Sequence, residues 1–143
     1  MTFFNSLDIS ASGLTAQRLR LDVISNNIAN VNTTRTEEGG PYRRQRVIFQ
    51  ESKTNGSFSN AFRKYQSKGV KAVAIDKDDA PFKLLYDPNH PDADPSGYVR
   101  MPNVNIVTEM VDMISATRSY EANITAFNST KSMISKTLEI SRI

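Results

Sequence analysis

The chain has 143 residues, enough for one modest domain, and its hydrophobic residues make up 38%, below the ~45–50% of most globular proteins. Without cysteine it has no disulfide bonds or thiolate metal sites, and its formal net charge of +3 is low for a nucleic-acid-binding protein. No stretch approaches the ~20 apolar residues of a membrane span, and the N-terminal segment lacks the basic start and apolar block of a cleaved signal peptide.

Glycine and proline divide the chain into three parts. Residues 1–32 contain one glycine and no proline, residues 33–103 contain five glycines and all six prolines, and residues 104–143 contain neither. Because both residue types interrupt helices, we predict an α+β fold. Its parts are an N-terminal assembly helix over 1–32, a β-rich middle domain over 33–103 and a C-terminal assembly helix over 104–143.

The N-terminal helix is predicted from apolar residues that recur on one face. They include Leu7, Leu14, Leu21, Ile24 and Ile28. Gly13 interrupts this pattern and costs roughly 1 kcal/mol relative to alanine. Four asparagines lie within seven residues near the helix end, at 26, 27, 30 and 32. Asparagine is a poor helix former, so these side chains either cap the helix in solvent or pair across a helix–helix contact and fix its register.

The middle domain is predicted to contain short strands and turns. Residues 47–49 and 70–75 are rich in β-branched side chains and favour strands. Asn55-Gly56 is typical of a hairpin turn, and residues 51–68 are predicted to form a long hairpin tip or a loop. The density of Pro, Asp and Gly over residues 87–102 indicates a series of turns without a helix.

The C-terminal helix carries a heptad seam, with mostly apolar residues at spacings that alternate between four and three. The seam comprises Ile106, Met110, Met113, Thr117, Tyr120, Ile124, Phe127, Lys131, Ile134 and Leu138. Asn105 is a candidate N-cap. Val107, Val111 and Ile114 widen the apolar stripe in the first turns.

The length of this helix points to a partner. A helix over residues 105–140 would be ~54 Å long, whereas a compact middle domain of ~70 residues is only ~30 Å across. The seam must therefore pair with the N-terminal helix or with another chain. A two-helix pair leaves flanking apolar stripes exposed, which is typical of interaction surfaces. The alternative is a monomeric hairpin folded back on a small sheet.

Two segments resemble the terminal motifs of bacterial flagellar basal-body rod and hook proteins. The first comprises residues 12–17 (SGLTAQ) and 25–33 (SNNIANVNT), and the second comprises residues 109–111 (EMV) and 118–123 (RSYEAN). Three middle segments, 41–44 (PYRR), 47–50 (VIFQ) and 86–104, resemble the proximal rod proteins of that family. Residues 51–68 do not share the resemblance.

The resemblance implies a structural subunit of the proximal rod rather than an enzyme, with no metal and no cofactor. It implies terminal helices packed as a coiled-coil core, β-rich middle domains further out, and transmission of motor torque along a shaft that crosses the periplasm. It also implies flagellar type III export with an uncleaved N-terminus. The implied partners are copies of the chain, other proximal and distal rod proteins, and the export-gate adaptor beneath them.

Residues of both helices are therefore expected to pack between subunits. The periodicity gives Leu7, Leu14, Leu21, Ile24, Ile28, Ile106, Met110, Met113, Ile124, Phe127, Ile134 and Leu138. The resemblance adds Asn26, Asn27, Asn30, Arg118, Tyr120 and Asn123.

A metal-dependent hydrolase is one rival hypothesis, centred on the H-x-D-x-D string of His90, Asp92 and Asp94. His90 is the only histidine, however, and the flanking prolines favour a rigid turn capped by the aspartates.

A nucleic-acid-binding adaptor is the other rival hypothesis, using the basic residues Arg43, Arg44 and Arg46. Only Tyr42 lies beside them as an aromatic residue that could stack on a base. We favour salt bridges from these arginines to acidic residues of a neighbouring subunit.

Overall fold

The computed structural model describes residues 2–52 and 69–140. Along the chain, four short strands lie between two long helices. The predicted α+β class with helices at both ends is confirmed. The elements are α1 (Thr2–Ala29), β1 (Gln45–Glu51), β2 (Val70–Lys77), β3 (Lys83–Tyr86), β4 (Tyr98–Met101) and α2 (Ile106–Ile140). Neither helix, within the described residues, is long and apolar enough to cross a membrane.

The two helices form an antiparallel hairpin. Asn27, near the end of α1, meets Glu109, near the start of α2, and Gly13 faces Asn123. Both contacts fit one antiparallel register, in which moving one residue towards the start of α1 corresponds to moving one residue towards the end of α2. In this register Thr2 lies level with about residue 134. With 35 residues in α2 and 28 in α1, the longer helix extends roughly six residues, or ~9 Å, past the shorter one.

Local signals set the helix ends. Asn105 caps α2 as predicted, because its Oδ1 accepts a hydrogen bond from the Val107 N–H at 3.1 Å. At the end of α1, the Asn30 side-chain amide donates to the Asn26 carbonyl at 2.9 Å and its Oδ1 accepts from the Thr33 hydroxyl at 3.1 Å. Such side-chain bonds compete with the helix, which therefore ends where the asparagines accumulate.

The strands β1 and β2 form an antiparallel ribbon that packs on α1. Ile48 pairs with Ala74 but Phe49 pairs with Ala72, so Val73 is the extra residue of a β-bulge. Half-buried and exposed residues alternate over the first five residues of β1, as expected when one face of a strand is covered.

The strands predicted over 47–49 and 70–75 are confirmed within β1 and β2. The predicted Asn55-Gly56 turn lies outside the described residues, as does most of the predicted hairpin tip or loop over 51–68.

The strands β3 and β4 form a second antiparallel ribbon. Leu84 lies opposite Arg100, and Tyr86 lies opposite Tyr98. The two tyrosine rings meet edge to face, with 5.2 Å between their centroids. The predicted absence of a helix over 87–102 is confirmed, but residues 98–101 form a strand rather than turns. A four-residue strand is too short to show a period of its own, and it is specified only by pairing with β3 across the intervening turns.

Gly69 lies where the start of β2 approaches α1 too closely for a side chain. Its φ is +90°, and an added Cβ would collide with the Ser12 hydroxyl, which accepts a hydrogen bond from the Val70 N–H at 3.1 Å. We expect Gly69→Ala to lower the free energy of unfolding by about 3 kcal/mol, with ~1–2 kcal/mol from the positive φ and the rest from the clash.

Gly39→Ala is the matched control, because Gly39 has φ +87° and open space around it. That variant bears only the backbone cost. Equal losses for the two variants in urea denaturation would contradict the close contact between β2 and α1.

Candidate subunit-assembly surface

The most deeply buried side chains of α2 are small or polar. On α2, Glu109, Ala116 and Thr130 are buried, and half-buried Asn123 lies between them. These four residues recur every seven positions, so they lie along one side of the helix. Apolar periodicity does not detect this seam, whereas a search for small and polar residues at heptad spacing would have found it.

Gly13 allows the two helices to approach closely. A Cβ at Gly13 would lie 3.0 Å from the side-chain oxygen and nitrogen of Asn123, tighter than ordinary van der Waals contact. Ala16 and Ala116 are also almost fully buried, at 4% and 0% exposure. The helix propensity lost at Gly13 is thus offset by the close contact it permits.

A polar junction joins both helices to the start of β1. Its members are Asn27, Tyr42 and Glu109, which are buried, and Arg44 and Asp112, which are half-buried. Asn27 is 1% exposed and makes four hydrogen bonds. Its Nδ2 donates to Glu109 Oε2 at 3.0 Å and to the Gln45 carbonyl at 2.8 Å. Its Oδ1 accepts from the Tyr42 hydroxyl and from the Gln45 N–H, each at 2.9 Å. Every hydrogen-bonding position of the amide is therefore used.

Glu109 is a fully buried carboxylate held by charge and hydrogen bonds. Arg44 Nε donates to its Oε1 at 2.5 Å, and Arg44 Nη2 lies 3.3 Å from Asp112 Oδ2. Arg20 donates to the other Asp112 oxygen at 2.9 Å. Burial lowers the pKa of Arg44, but the hydrogen bond and negative charge of Glu109 outweigh it, so the net shift is upward.

The basic residues after Tyr42 are engaged within the chain. Arg44 binds Glu109 and Asp112, so the expected salt bridge from this residue to a neighbouring subunit is wrong. Arg46 lies 3.9 Å from Asp78, and the Arg43 guanidinium lies 4.4 Å from the centre of the Phe82 ring. The nucleic-acid hypothesis is not supported, because the arginines that it required already have partners.

The pKa of Tyr42 is raised by burial and by the charge of Glu109. The neutral form of Tyr42 is therefore favoured in the folded chain. The stability that this preference contributes is fully present below the unfolded pKa of ~10, and it is lost as the pH rises through the higher pKa of the folded chain. We expect wild type to lose more stability than Tyr42→Phe between pH 9 and 11, as measured by urea denaturation. Parallel losses in the two proteins would contradict this assignment.

The turns around His90 are built from local hydrogen bonds. His90 Nδ1 accepts from the Asp92 N–H at 3.1 Å, and Asp87 Oδ1 accepts from the Asn89 N–H at 3.2 Å. Asp92 also accepts from the Thr34 hydroxyl at 2.8 Å. Across residues 2–52 and 69–140, no group of three or more His, Asp or Glu side chains is arranged to hold a metal ion. The metal-hydrolase hypothesis is not supported.

An apolar stripe lies on the side of α2 that faces away from α1. It comprises Ile106, Val107, Met110, Val111 and Ile114, which are 45–69% exposed. Over the first three turns of α2, Glu109 and Ala116 are buried and Met113 is half-buried, whereas the residues of the apolar stripe are exposed. This arrangement is typical of a surface that is covered in an assembly.

The predicted packing residues divide between the two sides of the helix hairpin. Those buried or half-buried are Leu7, Leu14, Leu21, Ile24, Asn27, Ile28, Asn30, Met113, Tyr120, Asn123, Phe127 and Ile134. Those exposed are Asn26, Ile106, Met110, Arg118, Ile124 and Leu138. Asn27 pairs across the helix contact, whereas Asn26 and Asn30 bond to each other at the helix end. For all of them, packing against a second subunit remains a prediction.

Comparison with known proteins places these motifs in a family context. Residues 7–35 match the family model described as flagella basal body rod protein, and residues 96–140 match the one described as flagellar basal body rod FlgEFG protein C-terminal. The flagellar basal-body rod protein FlgC of Borreliella burgdorferi is 54% identical over 98% of this chain and 98% of its own. FlgC of Bacillus subtilis is 50% identical over 99% and 100%, and that of Salmonella typhimurium is 43% identical over 98% of each.

Proposed function

This chain belongs to the FlgC family of flagellar basal-body rod proteins, and from that membership we propose that it polymerises through its terminal helices in the proximal rod and transmits motor torque. It is a structural rod subunit and not an enzyme. Its work is mechanical, so the surfaces that matter are those that meet other subunits.

The apolar stripe of α2 is the observation that supports polymerisation through the helices. The residues of α2 that are buried within the chain are small or polar, whereas Val107, Met110 and Val111 are 54–69% exposed. Burying a side chain of this kind contributes roughly 1.5–3 kcal/mol. Contacts between copies repeat that gain at every subunit.

The polar junction supports the transmission of load between the helices and the middle domain. Asn27 on α1, Glu109 on α2 and the backbone of Gln45 at the start of β1 are joined by hydrogen bonds of 2.8–3.0 Å. Hydrogen bonds are directional, whereas apolar contacts can slide. A load applied to either helix is thus carried into β1.

We extend the proposal to the route and the partners. The chain leaves by the flagellar type III export apparatus with its N-terminus uncleaved and lies in the periplasm. There it contacts proximal and distal rod proteins, copies of itself and the export-gate adaptor. An uncleaved N-terminus fits the fold, because Gly13 of α1 packs against Asn123 of α2 and the nearby Ser10 and Ala16 are buried, so removing this part of α1 would uncover α2.

The test uses a flagellated host whose own copy has been deleted. Expression of this chain is expected to restore swimming, and purified basal bodies should contain it with its N-terminal peptide intact by mass spectrometry. Swimming restored while the chain stays outside the basal-body fraction would contradict the proposal. Basal bodies that assemble fully without it would contradict the function.

A further inference from the structure

The strand β3 lies at the edge of its ribbon and is exposed along its whole length. Leu84, Leu85 and Tyr86 are 65%, 53% and 63% exposed. Among the described elements, β3 and β4 contact only each other, so neither strand packs on a helix or on the β1–β2 ribbon. A two-stranded ribbon is only marginally stable by itself. An additional strand beside β3 would therefore stabilise the ribbon.

The backbone of β3 presents free hydrogen-bonding groups on the side opposite β4. The Asp87 N–H donates to the Gly97 carbonyl at 3.0 Å, one step beyond the pairing of Tyr86 with Tyr98. Because antiparallel strands alternate between hydrogen-bonded and non-hydrogen-bonded pairs, Leu84 and Tyr86 direct their N–H and C=O groups away from β4. No hydrogen bond from elsewhere in residues 2–52 and 69–140 reaches these groups. Such an edge is a template for pairing with another strand.

The backbone groups of β3 match those of a second β3 strand in the antiparallel direction. When two copies of β3 run side by side around a twofold axis at Leu85, Leu84 of each copy lies opposite Tyr86 of the other. These are the residues whose N–H and C=O groups point outward, so each Leu84–Tyr86 pair exchanges two backbone hydrogen bonds. All the free groups of the edge are then paired.

The charges of β3 match in the same register. Lys83 of each copy lies opposite Asp87 of the other, so that opposite charges face each other at both ends of the contact. Both side chains have capacity for this interaction. The Lys83 ammonium has three donors and uses one on the Val104 carbonyl, and the Asp87 carboxylate accepts one hydrogen bond from the Asn89 N–H.

The flanking prolines disfavour the neighbouring registers. A shift of two residues in one direction places Leu84 opposite Pro88, which has no N–H to donate. The same shift in the other direction places Asp87 opposite Pro81 and separates the opposite charges. One register therefore satisfies both the backbone and the charged side chains.

We propose that two free copies of this chain pair reversibly through β3 and form a four-stranded antiparallel sheet in the order β4–β3–β3–β4. The contact is isologous and closes on itself, so it is distinct from the heterologous contacts that build an open array. It buries only one short strand of each copy, which is typical of a weak and transient association. Pairing covers the exposed apolar edge of the free subunit, and the pair opens before a copy enters the rod.

Disulfide trapping in the purified chain tests the pairing, because no native cysteine competes with an introduced one. Leu85 would lie opposite itself in a non-hydrogen-bonded pair, where Cα atoms are ~4.5 Å apart, within the ~4.4–6.8 Å that a disulfide requires. We expect Leu85→Cys to form dimers under a mild oxidant. Leu84→Cys is the matched control, because Leu84 is more exposed but lies opposite Tyr86, and its dimer yield should be at least about fivefold lower.

Charge reversal on the Leu85→Cys background tests the register. Lys83→Glu places a carboxylate opposite Asp87 and should lower the dimer yield severalfold, and adding Asp87→Lys should restore it. Restoration by the second reversal would not follow if Lys83 acted only within its own chain.

Monomers from Leu85→Cys, equal yields from Leu84→Cys and Leu85→Cys, or an unchanged yield with Lys83→Glu would each overturn the proposal. A double charge variant that stays unpaired, although its urea unfolding midpoint equals that of the Leu85→Cys chain, would also overturn it. These results are independent of the rod function, which the restoration of swimming measures.

Discussion

Asn27→Ala is expected to lower the free energy of unfolding by about 3–5 kcal/mol, a large part of the stability of a domain of this size. The substitution removes four hydrogen bonds at a residue that is 1% exposed. It also removes a hydrogen-bond partner from Glu109 Oε2 and from the Tyr42 hydroxyl. Buried polar groups left unsatisfied cost ~1–3 kcal/mol each, and more when charged.

Asn26→Ala provides the matched control, one position earlier on the same helix. Asn26 is exposed, and its side-chain oxygen accepts one hydrogen bond from Asn30 at 2.8 Å. We expect a loss of less than about 1 kcal/mol there. Asn27→Asp should be at least as damaging as Asn27→Ala, because it places a second carboxylate against Glu109. Similar unfolding midpoints for the Asn26 and Asn27 alanine variants would show that the polar junction does not hold the helices together.

Val107→Asp combined with Val111→Asp is expected to abolish swimming while the isolated chain stays folded. Both side chains are 63–69% exposed, so charge there costs little in the free subunit. In the assembly each aspartate would remove ~1.5–3 kcal/mol of stabilisation from apolar burial and would add the cost of desolvating a charge. Both effects would weaken the contact of every copy. The measurements are swimming zones in soft agar and the urea unfolding of the purified chain.

Thr108→Asp is the control for charge at the start of α2. Thr108 is exposed in the same turn as Val107 and Val111 but is not part of the apolar stripe. A carboxylate at position 108 therefore has the same interaction with the dipole of α2 as one at position 107 or 111. We expect it to swim normally. Equal swimming by the double variant and by Thr108→Asp would rule out the stripe as a subunit contact.

The sequence predicted those features that depend on local chemistry. The distribution of glycine and proline located both helices, because those residues act within their own turns. Asn105 was identified as a cap from its side chain and position alone. The hypothesis that an asparagine pairs across a helix contact is confirmed for Asn27, since an amide in a helix needs partners that the helix does not supply.

The features that the sequence did not predict depend on contacts between distant segments. The seam through Glu109, Ala116 and Thr130 has no apolar signature. The apolar seam, predicted to pair with α1 or with another chain, is divided: Ile106 and Met110 are exposed, whereas Tyr120 and Phe127 are half-buried. Arg44 was expected to reach a neighbouring subunit, but folding brings Glu109, 65 positions away, to its side. The pairing of β3 with β4 is likewise a tertiary preference rather than a local one.

Photo-crosslinking in cells from a reactive residue at position 111, in the apolar stripe, tests subunit packing through α2 most directly. A reactive residue in place of the exposed Glu37, which lies in the turn before β1, is the control. We predict light-dependent bands from position 111 in the basal-body fraction that contain rod subunits by mass spectrometry, at a higher yield than from position 37. Links from position 111 only to cytoplasmic proteins, or none at all in swimming cells, would contradict packing through α2.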